Sequence, residues 1–310
     1  MKIGIVGAGM VGATAAYAIA LGGHAHDIVL VDVNADLARA QAQDIAHALP
    51  FAGHCDLRAG DYADLAGAGI VIIAAGVSQK DGETRIDLLA RNADVFRLVL
   101  DQVLAATPDA VLLIASNPVD VMTGITVRLT GLPPSRVIGS GTILDSARFR
   151  HLIGQHLGVD PRSVHGYVLG EHGDSEVLAW SSTRVGALPL DEAAESLGRP
   201  ITDQVRARID QGVRAAAYKI IKGKGSTYYG IGAGLARLVA AIGGDDRSVQ
   251  SVSILTGDVL GVADTPVSIP RVLGRAGVIA DLMPSLNSDE SEALAHSARL
   301  MADLLAEVKI

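Results

Sequence analysis

Short, continuously apolar runs alternate with longer amphipathic stretches through the first half of the chain. Residues 2–6, 28–31, 70–74, 111–114 and 137–138 are dominated by Ile, Val and Leu, without the polar alternation of a half-exposed strand. They are expected to be strands buried on both faces. Between them, residues 34–49 and 86–106 carry apolar positions at helical spacing. Buried strands separated by helices predict βαβ units and a doubly wound parallel sheet. The pattern then changes. Residues 164–169 and 177–185 read as strands, and 201–221 as one long helix with Ile201, Val205, Ile209, Val213 and Ile220 on a single stripe. Residues 249–256 and 267–273 suggest antiparallel strands. A last helix should start near Asn287 and Ser288, where Asp289 and Glu290 complement the helix dipole. The fold class is therefore α/β: a doubly wound domain over residues 1–142, then an α+β domain over 143–310, with no low-complexity linker between them.

The bulk numbers narrow the function. Of the 310 residues 49% are hydrophobic and 19% charged, enough for a sizeable core. A net charge of −8 without a basic block makes nucleic acid and anionic membranes poor partners. The single cysteine, Cys55, cannot form an intrachain disulfide, and nothing around it beyond His54 suggests a catalytic thiol. Lys2 and the small-residue run after it superficially resemble a secretory signal. Gly4, Gly7, Gly9 and Gly12 fit a strand, a turn and a helix better. No other apolar run approaches the roughly 18 residues of a membrane span, so a cytoplasmic protein is expected. His24 and His26, separated by one residue, are expected to face solvent, and no metal site is expected.

Gly7, Gly9 and Gly12 form G-x-G-x-x-G between a predicted strand and a predicted helix. The first glycine permits the turn, the second lets backbone approach a pyrophosphate, and the third lets helix and strand pack. The helix N-terminus offers free N–H groups to the phosphates. Asp32 stands 20 residues after Gly12, at the end of the second strand, where a carboxylate binds ribose hydroxyls and repels a 2′-phosphate. This Rossmann signature predicts NAD as cofactor.

Three later segments carry polar groups that a core would not accommodate. Residues 76–85 follow a buried strand and read as a mobile loop at the carboxyl edge of the sheet. Asp145 and Arg148 share a helix face by their spacing of three. Residues 170–174, Gly-Glu-His-Gly-Asp, form a turn between strands. Each admits a plainer reading: a solvated loop cation, a surface ion pair, a turn histidine. Beside an NAD site, they supply the groups that hydride transfer to a 2-keto acid requires.

Taken in order, Gly7 to Gly12, Asp32, the loop 79–85, Ser116-Asn-Pro-Val-Asp120, Gly141-Thr-Ile-Leu-Asp-Ser-Ala-Arg148, Gly170-Glu-His-Gly-Asp-Ser-Glu176 and Thr227 resemble the lactate/malate dehydrogenase family across essentially the whole chain. Within it, they are most similar to the bisphosphate-activated bacterial enzymes acting on L-lactate. The resemblance implies reversible hydride transfer between lactate/pyruvate and NAD/NADH. It implies His172 as acid/base, Asp145 as its orienting carboxylate, Arg148 as the fork gripping the substrate carboxylate, and Arg85 as a lid arginine polarising the carbonyl. Asn117 would contact substrate and nicotinamide, and Ile231 would pack on the nicotinamide ring. Val11, Gly76, Val77, Ser140 and Tyr62 would line the cofactor path. Family malate enzymes carry arginine where Gln79 stands, so a neutral Gln79, with Thr227 beside the methyl group, implies pyruvate. Arg150 and His165 match residues that hold fructose 1,6-bisphosphate at a subunit interface, and the family implies a homotetramer. Two departures, Asp81 and Leu178 where relatives often carry proline, touch none of these groups. A dehydrogenase of malate or another 2-hydroxy acid, and a catalytically silent NAD-binding protein, remain alternatives from the sequence.

Overall fold

The computed structural model describes residues 1–77 and 85–308. The first half runs β1 (Lys2–Val6), α1 (Met10–Leu21), β2 (Asp27–Val31), α2 (Ala35–Ala46), β3 (Asp56–Ala59), β4 (Ile70–Ile73), α3 (Arg85–Ala106), β5 (Val111–Ile114), α4 (Val119–Thr130) and β6 (Val137–Gly139). These six strands are parallel, in the order β3-β2-β1-β4-β5-β6. The order reverses between β1 and β4. Such a switch point leaves a crevice at the carboxyl ends of the strands, where ligands of open α/β sheets bind.

Continuously apolar strands arise because alternate residues face opposite cores. Ile3, Ile5, Ile28, Leu30, Ile70 and Ile72 pack with α1 and α2. Val29, Val31, Val71, Ile73, Leu112 and Ile114 pack with Leu89, Phe96 and Val103 of α3 and with Met122 and Ile125 of α4. The apolar runs thus mark β1 and β5 to the residue. The helix expected over 34–49 ends at Ala46, and β3, whose apolar content is low, carries no such signal.

The second half follows as α5 (Ile143–Leu157), β7 (Val164–His165), β8 (Val168–Leu169), β9 (Val177–Leu178), β10 (Arg184–Val185), β11 (Leu188–Pro189), α6 (Leu190–Ser196), α7 (Asp203–Arg214), α8 (Ala216–Lys224), α9 (Tyr229–Gly243), β12 (Ser248–Val259), β13 (Val262–Gly274), β14 (Gly277–Asp281) and α10 (Ser288–Glu307). Three expectations change here. The strand expected over 164–169 divides at Gly166 and Tyr167: β7 pairs with β10, and β8 with β9. A side chain at Gly166 would press on Phe149 and Thr183, so the chain passes close to α5 there. The strand expected over 177–185 divides into β9 and β10. The helix expected over 201–221 breaks at Ala215, without proline or glycine at the break. Ile209 and Val213 of α7 are buried, whereas α8 buries no residue and Ile220 is exposed.

The antiparallel hairpin β12–β13, longer than the sequence suggests, does not form a sheet of its own. β12 joins β6 through Ser253 and Gly139, and β13 and β14 extend the same sheet to nine strands. On the opposite face from α3, α9 packs against α1 so closely that a side chain at Gly232 would meet Thr14. Asn287 caps α10 through Glu290 N–H, with the Glu290 side chain returning to Asn287 N–H. Among the described residues no helix is long and apolar enough to cross a membrane.

Candidate active site

Gly7, directly after β1, has φ +103°, and a Cβ there would lie 2.7 Å from the backbone of Ala74 and Ala75 after β4. Only glycine lets the two strand ends approach at the switch point. Gly9 is the residue preceding α1 and has open space where a side chain would stand. The first turn of α1 carries no acidic residue, so its free N–H groups and partial positive charge are available to an anion. Asp32 Oδ2 accepts the Ala8 N–H at 2.7 Å and Oδ1 accepts the Asn34 N–H at 2.8 Å. The carboxylate therefore sits against the glycine turn, as binding of an adjacent ribose requires. These features fit a dinucleotide. The two glycines separate fold from ligand. A methyl at Gly12 would collide with the Gly7 carbonyl oxygen. Gly12→Ala is therefore expected to cost about 3 kcal/mol and to lower Tm by several degrees. Gly9 has an ordinary extended backbone (φ −67°, ψ −172°). Gly9→Ala should melt like the parent yet bind NADH at least about tenfold more weakly, a change of about 1.4 kcal/mol. Thermal melts and NADH fluorescence titration check both.

Past β4, the Val77 N–H donates to Asn92 Oδ1 at 3.0 Å, and the Asn92 amide donates to the Leu88 carbonyl at 3.1 Å. Asn92 is buried on α3 and pins the Gly76–Val77 segment from below. Its only trace in the sequence is a polar residue inside an apolar helix face. Ser140, Val11 and Ile231 also surround the carboxyl edge: Ser140 is buried, and Val11 and Ile231 pack on the core beneath α1 and α9. Tyr62 is half-buried, and burial together with Asp32 raises its phenol pKa. Of the loop expected over 76–85, residues 78–84, Gln79 among them, lie outside the described residues. Arg85 is the first residue of α3, and its side chain is likewise outside the description.

A cavity of about 510 Å³ opens beside this edge, lined by Leu88, Asn117, Arg148, His172, Glu176 and Arg214 among others. Two elements meet there. Helix α5 presents Asp145 and Arg148 one turn apart, with Arg148 Nη1 donating to Asp145 Oδ1 at 2.7 Å. The turn between β8 and β9 brings His172, whose Nδ1 lies 2.6 Å from Asp145 Oδ2. The second imidazole nitrogen, Nε2, is left for a reacting group. Burial opposes both charges of this pair, but each partner outweighs it. Asp145 is held below the usual carboxylate range by His172 and Arg148, and His172 is pushed up to about 9 by Asp145. The constellation is a general acid whose orientation and charge are maintained by a buried carboxylate, beside a guanidinium with free donors.

Asp120, which the sequence offers only as the end of the segment 116–120, is brought against the histidine turn. It lies in the first turn of α4, fully buried, and its Oδ2 accepts the His172 backbone N–H at 2.7 Å. Asp120 Oδ1 and the Ser253 hydroxyl are both buried, close to one another. Burial pushes the Asp120 carboxyl up to about 6, while the His172 amide and nearby Ser253 pull it back. This carboxylate ties the histidine turn to α4, across 52 residues of sequence.

Thr227 does not line the cavity with His172. It lines another, of about 370 Å³, with Ile220, Lys224, Tyr228 and Gly230. Arg150, two residues past Arg148, turns back to the Ser146 carbonyl and is absent from the His172 cavity lining; burial lowers its pKa. His165 is exposed on β7, in register with Arg184 of β10. Cys55 is buried, with its thiol toward the Asp56 carbonyl.

Comparison with known proteins accounts for nearly all of the chain. The family model for the NAD-binding domain of lactate/malate dehydrogenase matches residues 1–139, and that for the family's α/β C-terminal domain matches 142–309. The L-lactate dehydrogenase of Allorhizobium ampelinum is 64% identical over 99% of each chain, and that of Thermus aquaticus is 58% identical over 97% of each. The solved structure of a lactate dehydrogenase from a deep-sea metagenome library superposes with TM-score 0.96 at 41% identity, covering 99% of this chain and 98% of its own. The Enterococcus mundtii minor L-lactate dehydrogenase, in a ligand-bound form, gives 0.95 at 40% identity, covering 100% and 98%. With an NAD-binding domain over its first half and the C-terminal domain over the rest, the chain belongs to the lactate/malate dehydrogenase family and uses NAD.

Proposed function

We propose that this chain interconverts L-lactate and pyruvate, and that residues 143–310 supply the acid/base chemistry while residues 1–142 hold the cofactor. The contact between His172 and Asp145, with Arg148 one helical turn away, carries the reading. The bound nicotinamide supplies or accepts the hydride. Arg148 grips the substrate carboxylate through its guanidinium fork, which fixes the carbonyl relative to the histidine. His172 gives its Nε2 proton to the carbonyl oxygen as charge develops there, and takes it back when lactate is oxidised. Asp145 keeps the Nδ1 proton in place and stabilises the imidazolium. Asn117 completes the wall of the site, and Arg85 polarises the carbonyl when the loop before it closes and excludes water.

Gln79 decides the substrate. A neutral residue leaves the second carboxylate of oxaloacetate unpaired in an enclosed site, at a cost of several kcal/mol. Thr227, which lines a separate cavity with Ile220 and Tyr228, carries no part of this argument. Initial rates of NADH oxidation test this. Pyruvate should exceed oxaloacetate in kcat/KM by on the order of 10²-fold or more, and Gln79→Arg should narrow or reverse the ratio. Equal kcat/KM for the two acids in the parent chain would sink the assignment. The net charge of −8 and the family likeness fit the cytoplasm. Likeness to the bacterial lactate enzymes supports a homotetramer with Arg150 and His165 binding fructose 1,6-bisphosphate between subunits. The same assay with and without the bisphosphate reads that activation as a change in KM.

A further inference from the structure

Hydride transfer as described has no use for Glu176, yet this carboxylate lines the same cavity as His172 and Arg148. It is buried, and its Oε1 has no hydrogen-bond partner among the described residues. An ionised carboxylate left so would be costly. Its position is not incidental, because its own N–H donates to the Gly173 carbonyl at 3.1 Å inside the catalytic turn. The groups facing it come from each neighbouring element. Asp145 and Arg148 lie on α5, His172 with Glu171 and Asp174 on the turn, Arg214 on α7 and Tyr218 on α8. Several are committed elsewhere. Arg214 pairs with Asp210 at 2.8 Å, the Glu171 carboxylate takes the Ser175 hydroxyl at 2.7 Å, and Tyr218 donates to Asp174. Of the rest, Asp145 takes up His172 and Arg148, and by the reading above Arg85 is directed at the substrate carbonyl. A substrate carboxylate held by Arg148 therefore brings a further anion beside Glu176 without supplying it a counter-ion, which disfavours its ionised form.

We propose that Glu176 is the charge-setting residue of the pocket: it is a neutral carboxylic acid whenever the substrate carboxylate is bound, so that binding of a 2-oxo acid is coupled to proton uptake at Glu176. This rests on the 2-oxo acid chemistry proposed above. The proton is transferred from solvent to a Glu176 carboxylate oxygen on binding and returns to solvent on release. No other bond changes. Burial and the neighbouring Asp145 push Glu176 up to about 8, outweighing Arg214, His172 and Arg148, so the coupling falls in an accessible pH range.

The test is proton uptake on binding oxamate, the unreactive amide isostere of pyruvate, to the enzyme–NADH complex. It is read by titration calorimetry at pH 8 in two buffers of different ionisation enthalpy. The parent protein should take up about half a proton at Glu176, plus about a tenth at His172, while E176Q should keep only the His172 share. Correspondingly, KM for pyruvate should rise about tenfold between pH 7 and 9 through Glu176 and about twofold more through His172, and E176Q should retain only the twofold part. Parent protein that binds oxamate with no uptake beyond the His172 share overturns the proposal, and so does E176Q that keeps the parent's uptake and KM profile. The parent measurement decides the matter even if E176Q does not fold. Parent protein that neither reduces pyruvate nor binds oxamate overturns the functional reading, and this proposal with it.

Discussion

Replacing His172 by Asn is expected to lower kcat/KM for pyruvate by about 10²–10⁴-fold, the range that a positioned general acid contributes. NADH binding should survive, because the glycine turn joins β1 to α1 and Asp32 directly follows β2, away from the histidine turn. The pH profile separates this role from a structural one. With His172 pushed up to about 9 by Asp145, pyruvate reduction at saturating pyruvate, which needs the imidazolium, should hold below that pH and fall as pH rises through it. Lactate oxidation, which needs the neutral ring, should gain over the same interval. Stability has the same sign. A histidine whose folded pKa exceeds its ordinary value of 6.5 stabilises the fold fully below 6.5, and that contribution is lost as pH rises toward about 9. The Asn variant should lose both dependences. Steady-state rates in each direction from pH 6 to 10 are the measurement, and an Asn variant with full activity would rule out His172 as the acid.

Arg148→Leu is expected to raise KM for pyruvate by on the order of 10²–10⁴-fold, corresponding to the roughly 3–5 kcal/mol typical of a broken buried ion pair. Two losses combine. The substrate carboxylate loses its fork, and Asp145, buried at 2% exposure, loses one of its two cationic partners. Arg148→Lys separates them, because lysine keeps the charge near Asp145 but cannot present two parallel donors. Its KM should fall between those of the parent and the Leu variant. A KM in Arg148→Leu within a few-fold of the parent would show that the carboxylate is anchored elsewhere.

The site was legible in the sequence wherever its geometry is local. Asp145 and Arg148 meet because a spacing of three residues is one helical turn, and helix geometry holds in any fold. Gly7 and Gly12 are required by contacts within the first turn and with the adjacent strand end, so their pattern points to the turn directly. Five of the six parallel strands could be read from their apolar runs because both their faces are buried, whereas β3, partly exposed at the edge of the sheet, could not. Pairing Asp145 with His172 came from family resemblance, since their 27-residue separation has no local geometric meaning.

What remained hidden depends on contacts between distant segments. Asp120 is an ordinary polar residue in a helix's first turn until the turn of His172 folds onto it. Glu176 stands in the sequence only as the end of the segment 170–176, and its place in the cavity follows from the packing of α5 and α7 around the turn. The break at Ala215 follows from where the core ends, since the stripe of α7 has a partner up to Val213 and α8 has none. The joining of β12 to β6 hangs on one register pair between the halves of the chain. Periodicity and spacing along the chain therefore determined the elements, the cofactor turn and the Asp145–Arg148 face. The tertiary structure alone decided which carboxylates are buried beside the histidine, because burial and charge balance belong to the assembled pocket and not to any one segment.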